Sequence, residues 1–388
     1  MAESGLVTCA GCALLCDDVT VELTSGHGVR LRPACPLGAE WFSQRMLRCA
    51  DAPAATIDGQ PVDAESALAQ VAEMLLRARR PLIHGFDGAT VEDARVAVAL
   101  GDRLGALVRI GPADDPWPGA PAVPLRGAST ATLGEIRDRS GVVVVWREDP
   151  ETTHPRLLER LGVGRGSSSA RVLMVIDDRD TPTTERADLS LVWTRERDLQ
   201  ALVTLQLLAG DMSGAAGAFD VPLRDLAQRV RRVPHATFVY GAGLTGGAGG
   251  QRRALALHEL VRALCGERHV VTLELPRDPG ARSADDVLAW QSGYGGHVDF
   301  AGGHPELVTA TRPLDDVDVT LLVEPGPAGG LVAGGEAEVW IRTAAAGVEA
   351  SGTLHRLDGV PLTLQAPFEN GAPTAAALLT RLLDQVQA

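Results

Sequence analysis

Between Asp63 and Arg79, apolar residues fall at Ala67, Leu68, Val71, Leu75 and Leu76, the three-and-four spacing that lines one face of a helix. Pro81–Phe86 (Pro-Leu-Ile-His-Gly-Phe) then reads as a buried strand entering a glycine turn, Val91–Leu104 as a helix and Ala106–Ile110 as a second strand. A strand, helix, strand order suits a parallel sheet. Beyond a Pro-rich stretch from Pro112 to Pro124, the short apolar runs Val142–Trp146, Val172–Ile176 and Leu189–Trp193 read as inner strands, with a helix over Arg195–Leu208. Further strands are expected at Thr237–Tyr240, Val270–Leu275, Val319–Val323 and Val339–Ile341, and a helix at Arg253–Leu264. The alternation predicts an α/β protein with two doubly wound parallel-sheet domains. Gly214–Gly217 is the best boundary by composition, and the second sheet domain, residues 123–212, is expected to be inserted in the first, residues 51–122 and 213–388, after a small N-terminal domain over residues 1–50.

Composition narrows the classes. A chain of 388 residues exceeds one compact core and suggests two or three domains. With 4% aromatics and 43 glycines, the core must be built from Val, Leu, Ile and Ala. The net charge is -14 and all 36 basic residues are arginine, which argues against a nucleic-acid partner because a phosphate backbone demands a basic face. No apolar run reaches the roughly 18 residues needed to cross a bilayer, and Met1–Leu15 has no cationic plus apolar signal segment, so the expected location is the reducing cytoplasm.

Four cysteines carry the strongest chemical signal. Cys9, Cys12 and Cys16 lie as C-x2-C-x3-C in Cys-Ala-Gly-Cys-Ala-Leu-Leu-Cys, and Cys35 follows in Ala-Cys-Pro-Leu-Gly. A [4Fe-4S] cluster needs four converging thiolates, and a short loop with Gly11 plus a segment returning after the Ser25–Gly28 turn supplies them. Structural zinc usually takes two paired knuckles, whereas here there is one close pair, and disulfides are disfavoured in the cytoplasm. Cys49 and Cys265 stand alone as ordinary small buried residues.

Other clusters are open to two readings. The glycine-rich loop Tyr240–Gly250 follows a strand and precedes a helix, so it is either a ligand loop or a bare turn, and without lysine it has no Walker ending. Arg147–Arg156 and Asp177–Thr184 each follow a strand and could contact a polar ligand, yet both also read as turns with helix caps, Asp180 or Thr181 starting a helix. His84, at a strand end, reads as a structural histidine. No Ser-His-Asp arrangement or His-x-His pair stands out, and no catalytic residue is assigned.

Taken together, Cys-Ala-Gly-Cys-Ala-Leu-Leu-Cys-Asp-Asp-Val, the Ala-Cys-Pro-Leu-Gly return, Trp146–Arg156, Asp177–Asp188, Trp290-Gln-Ser-Gly-Tyr and Val298-Asp-Phe resemble the B-type subunit of formylmethanofuran dehydrogenase, a family of the molybdopterin oxidoreductase superfamily. The resemblance implies an N-terminal [4Fe-4S] domain and sheet domains that in the archaeal enzymes hold a tungsten or molybdenum bis-pterin. There the reaction interconverts carbon dioxide, through formate, with formylmethanofuran, and the metal takes a cysteine or selenocysteine in a Cys-His-Gly-Pro context. The matching stretch here, Gly111-Pro-Ala-Asp-Asp-Pro-Trp117, has neither cysteine nor histidine, although Asp114 or Asp115 could offer a hard oxygen ligand. The family's Gly-x-Asn-Pro is replaced by Arg147-Glu-Asp-Pro150, which places carboxylates where pyrophosphates would lie and implies loss of the molybdopterin site. The resemblance is greatest to the degenerate B-type subunit of the bacterial formyltransferase/hydrolase complex, and implies a scaffold among the other subunits of such a complex in tetrahydromethanopterin-dependent one-carbon metabolism. The alternatives are an active tungsten or molybdenum bis-pterin dehydrogenase and a zinc-stabilised binding module.

Overall fold

The structure, a computed structural model, describes residues 6–24, 28–47, 53–111, 122–167, 171–210, 220–266, 268–276, 278–308, 316–325, 330–367 and 371–387. Asp114, Asp115, Cys49 and the Gly214–Gly217 boundary lie outside these residues. The chain is mixed α/β and divides into two compact units, Met1–Asp115 with Asp278–Ala388, and Pro116–Arg277.

These units correct the expected boundaries at 122/123 and 212/213. The strands His235–Gly241 and His269–Leu275, assigned from sequence to the outer domain, pair instead in the sheet of Val142–Trp146. Strand pairing is a non-local choice, and an apolar run carries no label naming its sheet. Residues 1–50 group with the first unit.

The second unit has the expected parallel sheet, ordered His269–Leu275, His235–Gly241, Val142–Trp146, Val172–Asp177, Leu189–Val192. Its central strand, Val142–Trp146, is buried at every position, as an inner parallel strand covered on both faces must be. Full burial of each such Val side chain stabilises by about 1.5–3 kcal/mol. The helices Asp198–Ala209 and Gly250–Leu264 contribute Leu202, Leu205, Leu257 and Leu260 to this core.

The sheet of the first unit is mixed rather than doubly wound and parallel. Only Leu107–Ile110, Pro81–Gly85 and Val319–Glu324 run parallel, and the strands from Gly330–Gly334 outward to Gln60–Val62 are antiparallel. The connection between Val319–Glu324 and Gly330–Gly334 is too short for a crossover of a dozen or more residues, so the chain must double back. The helix Val91–Leu104 starts at a capping box in which Thr90 and Asp93 satisfy each other's backbone amides, and Asp93 also accepts the Ala376 N–H at 2.6 Å, tying the C-terminal helix Ala375–Gln387 to it. Near the N-terminus, the hairpin Thr20–Thr24/Gly28–Arg32 leads into the helix Pro36–Leu47. The Cys9–Cys16 loop is held against the Gly352–His355/Pro361–Leu364 ribbon by Leu357 N–H to Ala13 O at 3.0 Å and Thr8 Oγ1 to Thr363 O at 3.1 Å.

Candidate cysteine site and sheet-end loops

The loop that carries the first three cysteines is closed by its own backbone. The Cys9 N–H donates to Cys16 O at 2.8 Å and Leu15, at φ 41°, donates to Cys12 O at 3.2 Å. Leu15 is fully buried with Ala10, Leu354 and Leu364, which anchors the strained turn. Cys35 precedes the helix Pro36–Leu47, and its carbonyl accepts from Ala39 at 2.9 Å. Gly38 brings the two segments together, since a Cβ there would lie 3.0 Å from Cys9 Sγ and 2.7 Å from Leu31 Cδ1. Gly11 meets Gly38 in the same way, with its Cβ position 3.0 Å from the Gly38 Cα. Motif and return are therefore held in van der Waals contact through two glycines.

Cys9 and Cys16 are buried, Cys12 and Cys35 half-buried, and all four are thiols rather than disulfides. Burial pushes the Cys9 thiol up to about 12; the Gly11 N–H, 3.4 Å from the sulfur, opposes this and the charges of Cys12, Cys16 and Cys35 add to it. The other three sulfurs thus lie near enough for their charges to reach Cys9. Among the described residues, however, no three His, Cys, Asp or Glu side chains are grouped to hold a metal ion. The sulfurs share a field without being drawn around one point. As a donor set, four soft thiols around a buried loop with an amide aimed at one sulfur fit an iron–sulfur group better than a hard cation.

Arg45, on the helix Pro36–Leu47, lies 4.5 Å over the Trp41 ring. Burial lowers its pKa, opposed by the charges of Asp87, Glu349 and Cys9. Asp87 stands at the carboxyl end of Pro81–Gly85, beside Val319–Glu324 where the strand order of this sheet reverses. Asp278 and Glu324 belong to the same group. Burial, then the charges of Asp87 and, more weakly, Glu324, push the Asp278 carboxyl up to about 7, and burial followed by Asp87 raises Glu324. Sequence reasoning missed this trio, because the parallel pairing of two strands more than 200 positions apart brings Asp87 and Glu324 together, and Asp278 joins them from the turn before the helix Ala281–Ser292.

In the second unit the two polar segments serve mainly as caps. Thr181 caps the helix Pro182–Arg186 in a capping box with Thr184, and Asp149 accepts from Thr152 Oγ1 at 2.6 Å and Thr183 N–H at 3.0 Å. His154 is buried, with Nδ1 3.0 Å from Thr153 Oγ1, and burial lowers its pKa to about 4. Arg147 is the exception. Its guanidinium donates to both oxygens of fully buried Asp198, at 2.9 and 3.0 Å, and to Trp193 O at 2.7 Å, while Trp146 and Trp193 give their indole N–H groups to Asp198 Oδ1 at 3.1 and 2.9 Å. The Tyr240–Gly250 loop forms a short turn of helix, Ala242–Thr245, before Gly250–Leu264. Arg195 donates to Gly246 O, and Arg253 to the carbonyls of Leu244, Gly246 and Ala248. His84 is half-buried within its strand.

No family model matches the chain. It is similar to the B-type subunit of the tungsten-containing formylmethanofuran dehydrogenase 2 of Methanocaldococcus jannaschii, 26% identical over 92% of either chain, and to that of Methanococcus maripaludis, 26% identical over 98% of either chain. A chain in the crystal structure of the formyltransferase/hydrolase complex from Methylorubrum extorquens with methylofuran superimposes with a TM-score of 0.66 at 24% identity, covering 86% of this chain and 99% of that one. That match speaks for the fold. The sequence similarity to the B-type subunit of formylmethanofuran dehydrogenase runs nearly the whole length of the chain. Among the described residues no helix is long and apolar enough to cross a membrane.

Proposed function

We propose that this chain is a B-type scaffold of a formyltransferase/hydrolase complex that handles one-carbon units bound to tetrahydromethanopterin, and that it has lost the dehydrogenase's own redox centre. The observation that carries the reading is the whole-length similarity to the B-type subunit of formylmethanofuran dehydrogenase, combined with a Gly111–Trp117 stretch that lacks a cysteine. Its partners are the other subunits of that complex, and its location is the cytoplasm, where thiols stay reduced. Cys9, Cys12, Cys16 and Cys35 would hold a [4Fe-4S] cluster, supported by the charges of Cys12, Cys16 and Cys35 reaching Cys9 and by the Gly11 N–H on the Cys9 sulfur. Such a cluster stores and passes single electrons. The chain's own part is to bury the ligand loop, to exclude water from Cys9 and Cys16, and to place Arg45 as a cation beside Cys9.

The tungsten in the names of both archaeal relatives favours one second reading, an active tungsten or molybdenum bis-pterin dehydrogenase with Asp114 or Asp115 as an unusual ligand. Metal analysis of the complex purified without oxygen from its native host decides between them. Iron near about four per chain, no tungsten or molybdenum, and hydrolase and formyltransferase subunits in the same particle are expected. Stoichiometric tungsten or molybdenum would restore the dehydrogenase, one zinc without iron would make the cysteines a zinc site, and a monodisperse lone chain would sink the scaffold.

A further inference from the structure

Open parallel sheets take ligands beyond the carboxyl ends of the strands at the point where strand order reverses. In the second unit that point lies between Val142–Trp146 and His235–Gly241. The chain has filled the position with its own atoms. Gly243 approaches the preceding strand so closely that a Cβ on it would lie 1.6 Å from Arg147 O, and a Cβ on Gly241 would lie 2.7 Å from Glu148 Oε1. Glu148 Oε1 accepts the Gly243 N–H at 2.7 Å. Further along the loop, Arg195 and Arg253 each donate to Gly246 O.

We propose that Glu148 is a built-in anion whose carboxylate occupies the loop amide that a phosphate-bearing ligand would need, closing this crevice to nucleotide-type ligands. The proposal deepens the reading above, on which no pterin cofactor is held. Two effects act together. The Gly243–Arg147 backbone contact leaves no depth for a ligand between the strands, and a second anion at the same amide would meet the charge of Glu148. The strand end supports it geometrically: Arg147 sits at φ 57° with its side chain fixed by Asp198, which aims the next residue, Glu148, at the loop.

Thermal unfolding of the intact complex, for wild type, E148A and E148Q, with and without inorganic pyrophosphate or formate, tests this. E148A is expected to unfold about 2–4 °C lower, and millimolar formate, which fits the space the carboxylate leaves, but neither pyrophosphate nor chloride at equal ionic strength, is expected to restore at least half of the loss. E148Q, which keeps an oxygen for the Gly243 N–H, should lose less and show no restoration. Wild type should not respond. Stabilisation of wild type by pyrophosphate overturns the proposal, as does an E148A protein that is neither destabilised nor restored; if E148A does not fold, the responses of wild type and E148Q decide by the same criteria. Pterin analysis of the same preparation keeps the two readings apart. A tungsten or molybdenum pterin in wild type defeats the scaffold reading, whereas a pterin-free wild type stabilised by pyrophosphate defeats only this proposal.

Discussion

The carboxyl ends of the two sheets are built on one plan with opposite electrostatics. In each, the strand at the reversal of order is followed by a non-glycine residue in the left-handed region, Phe86 at φ 75° and Arg147 at φ 57°, and then by an acid, Asp87 and Glu148. In each, a glycine from a later loop packs on the carbonyl of that strained residue, Gly280 with a Cβ position 2.0 Å from Phe86 O and Gly243 with one 1.6 Å from Arg147 O. Left-handed backbone costs about 1–2 kcal/mol for an L residue, so both ends hold strain that the surrounding packing must offset. The acids then diverge. Glu148 accepts a loop amide, while Asp87 faces Asp278 and Glu324 with Arg45 as its cation. One end has satisfied its charge and the other has concentrated it, so a shared backbone device does not settle what a sheet end can bind.

The largest expected effect tests how each end is anchored. Asp198→Ala would leave two buried indole N–H groups without their acceptor and strip the Arg147 guanidinium of its bidentate partner, leaving it Trp193 O and Asp178, and is expected to destabilise the second unit by about 3–5 kcal/mol, read as a fall in the urea midpoint. In the first unit Asp299 accepts from both terminal nitrogens of Arg80 at 2.9 and 2.6 Å; each arginine keeps a more exposed second acid, Asp316 at 3.6 Å from Arg80 and Asp178 at 3.4 Å from Arg147, but Asp198 holds two indole N–H groups in addition to its arginine. Asp299→Ala is therefore expected to cost less, about 2–3 kcal/mol. Equal losses would break the claim that the second unit's end is the more completely locked.

Much of this architecture was legible because local periodicity reports local structure. The helix Val91–Leu104 and the strands Val142–Trp146 and Val339–Ile341 fall where their apolar patterns place them. Partnership was not legible: Thr237–Tyr240 and Val270–Leu275 look like any inner strands, yet the pairing of His235–Gly241 with Val142–Trp146 moves the domain boundary. Short ribbons such as Gly352–His355/Pro361–Leu364 were also invisible, since three- or four-residue edge strands have no period to detect. The cysteine motif and its return were plain from spacing. The Asp87–Asp278–Glu324 trio was not, because each acid alone reads as a turn residue.

A smaller effect probes the shared glycine contact. Gly243→Ala and Gly280→Ala each push a methyl group into a backbone carbonyl that cannot rotate away, with expected losses of about 1–3 kcal/mol or slightly more. If the two ends share one device, the two variants should lose similar amounts in chemical denaturation. A tolerated Gly280→Ala beside a damaging Gly243→Ala would show that the first unit's end has room to open.

The smallest effects separate the ends by pH. Asp278 has its carboxyl raised from 3.8 to about 7, so the folded state binds a proton that the unfolded state releases; its contribution is present below about pH 4 and is lost as pH rises towards 7. Asp278→Asn keeps an oxygen for the Ala281 N–H, which the native Oδ1 accepts at 2.6 Å, and removes the charge. The variant should match wild type near pH 4 and exceed it by about 1 kcal/mol above pH 7, a figure discounted because the side chain is only half-buried. In the second unit the sign is reversed. His154, lowered from 6.5 to about 4, gives a contribution present above pH 6.5 that is lost as pH falls towards 4, so His154→Gln should flatten the acid limb of a urea-midpoint profile and leave the alkaline limb alone. An Asp278→Asn protein without an alkaline gain would mean that Arg45 already neutralises the acidic trio, and the contrast between the two sheet ends would reduce to geometry.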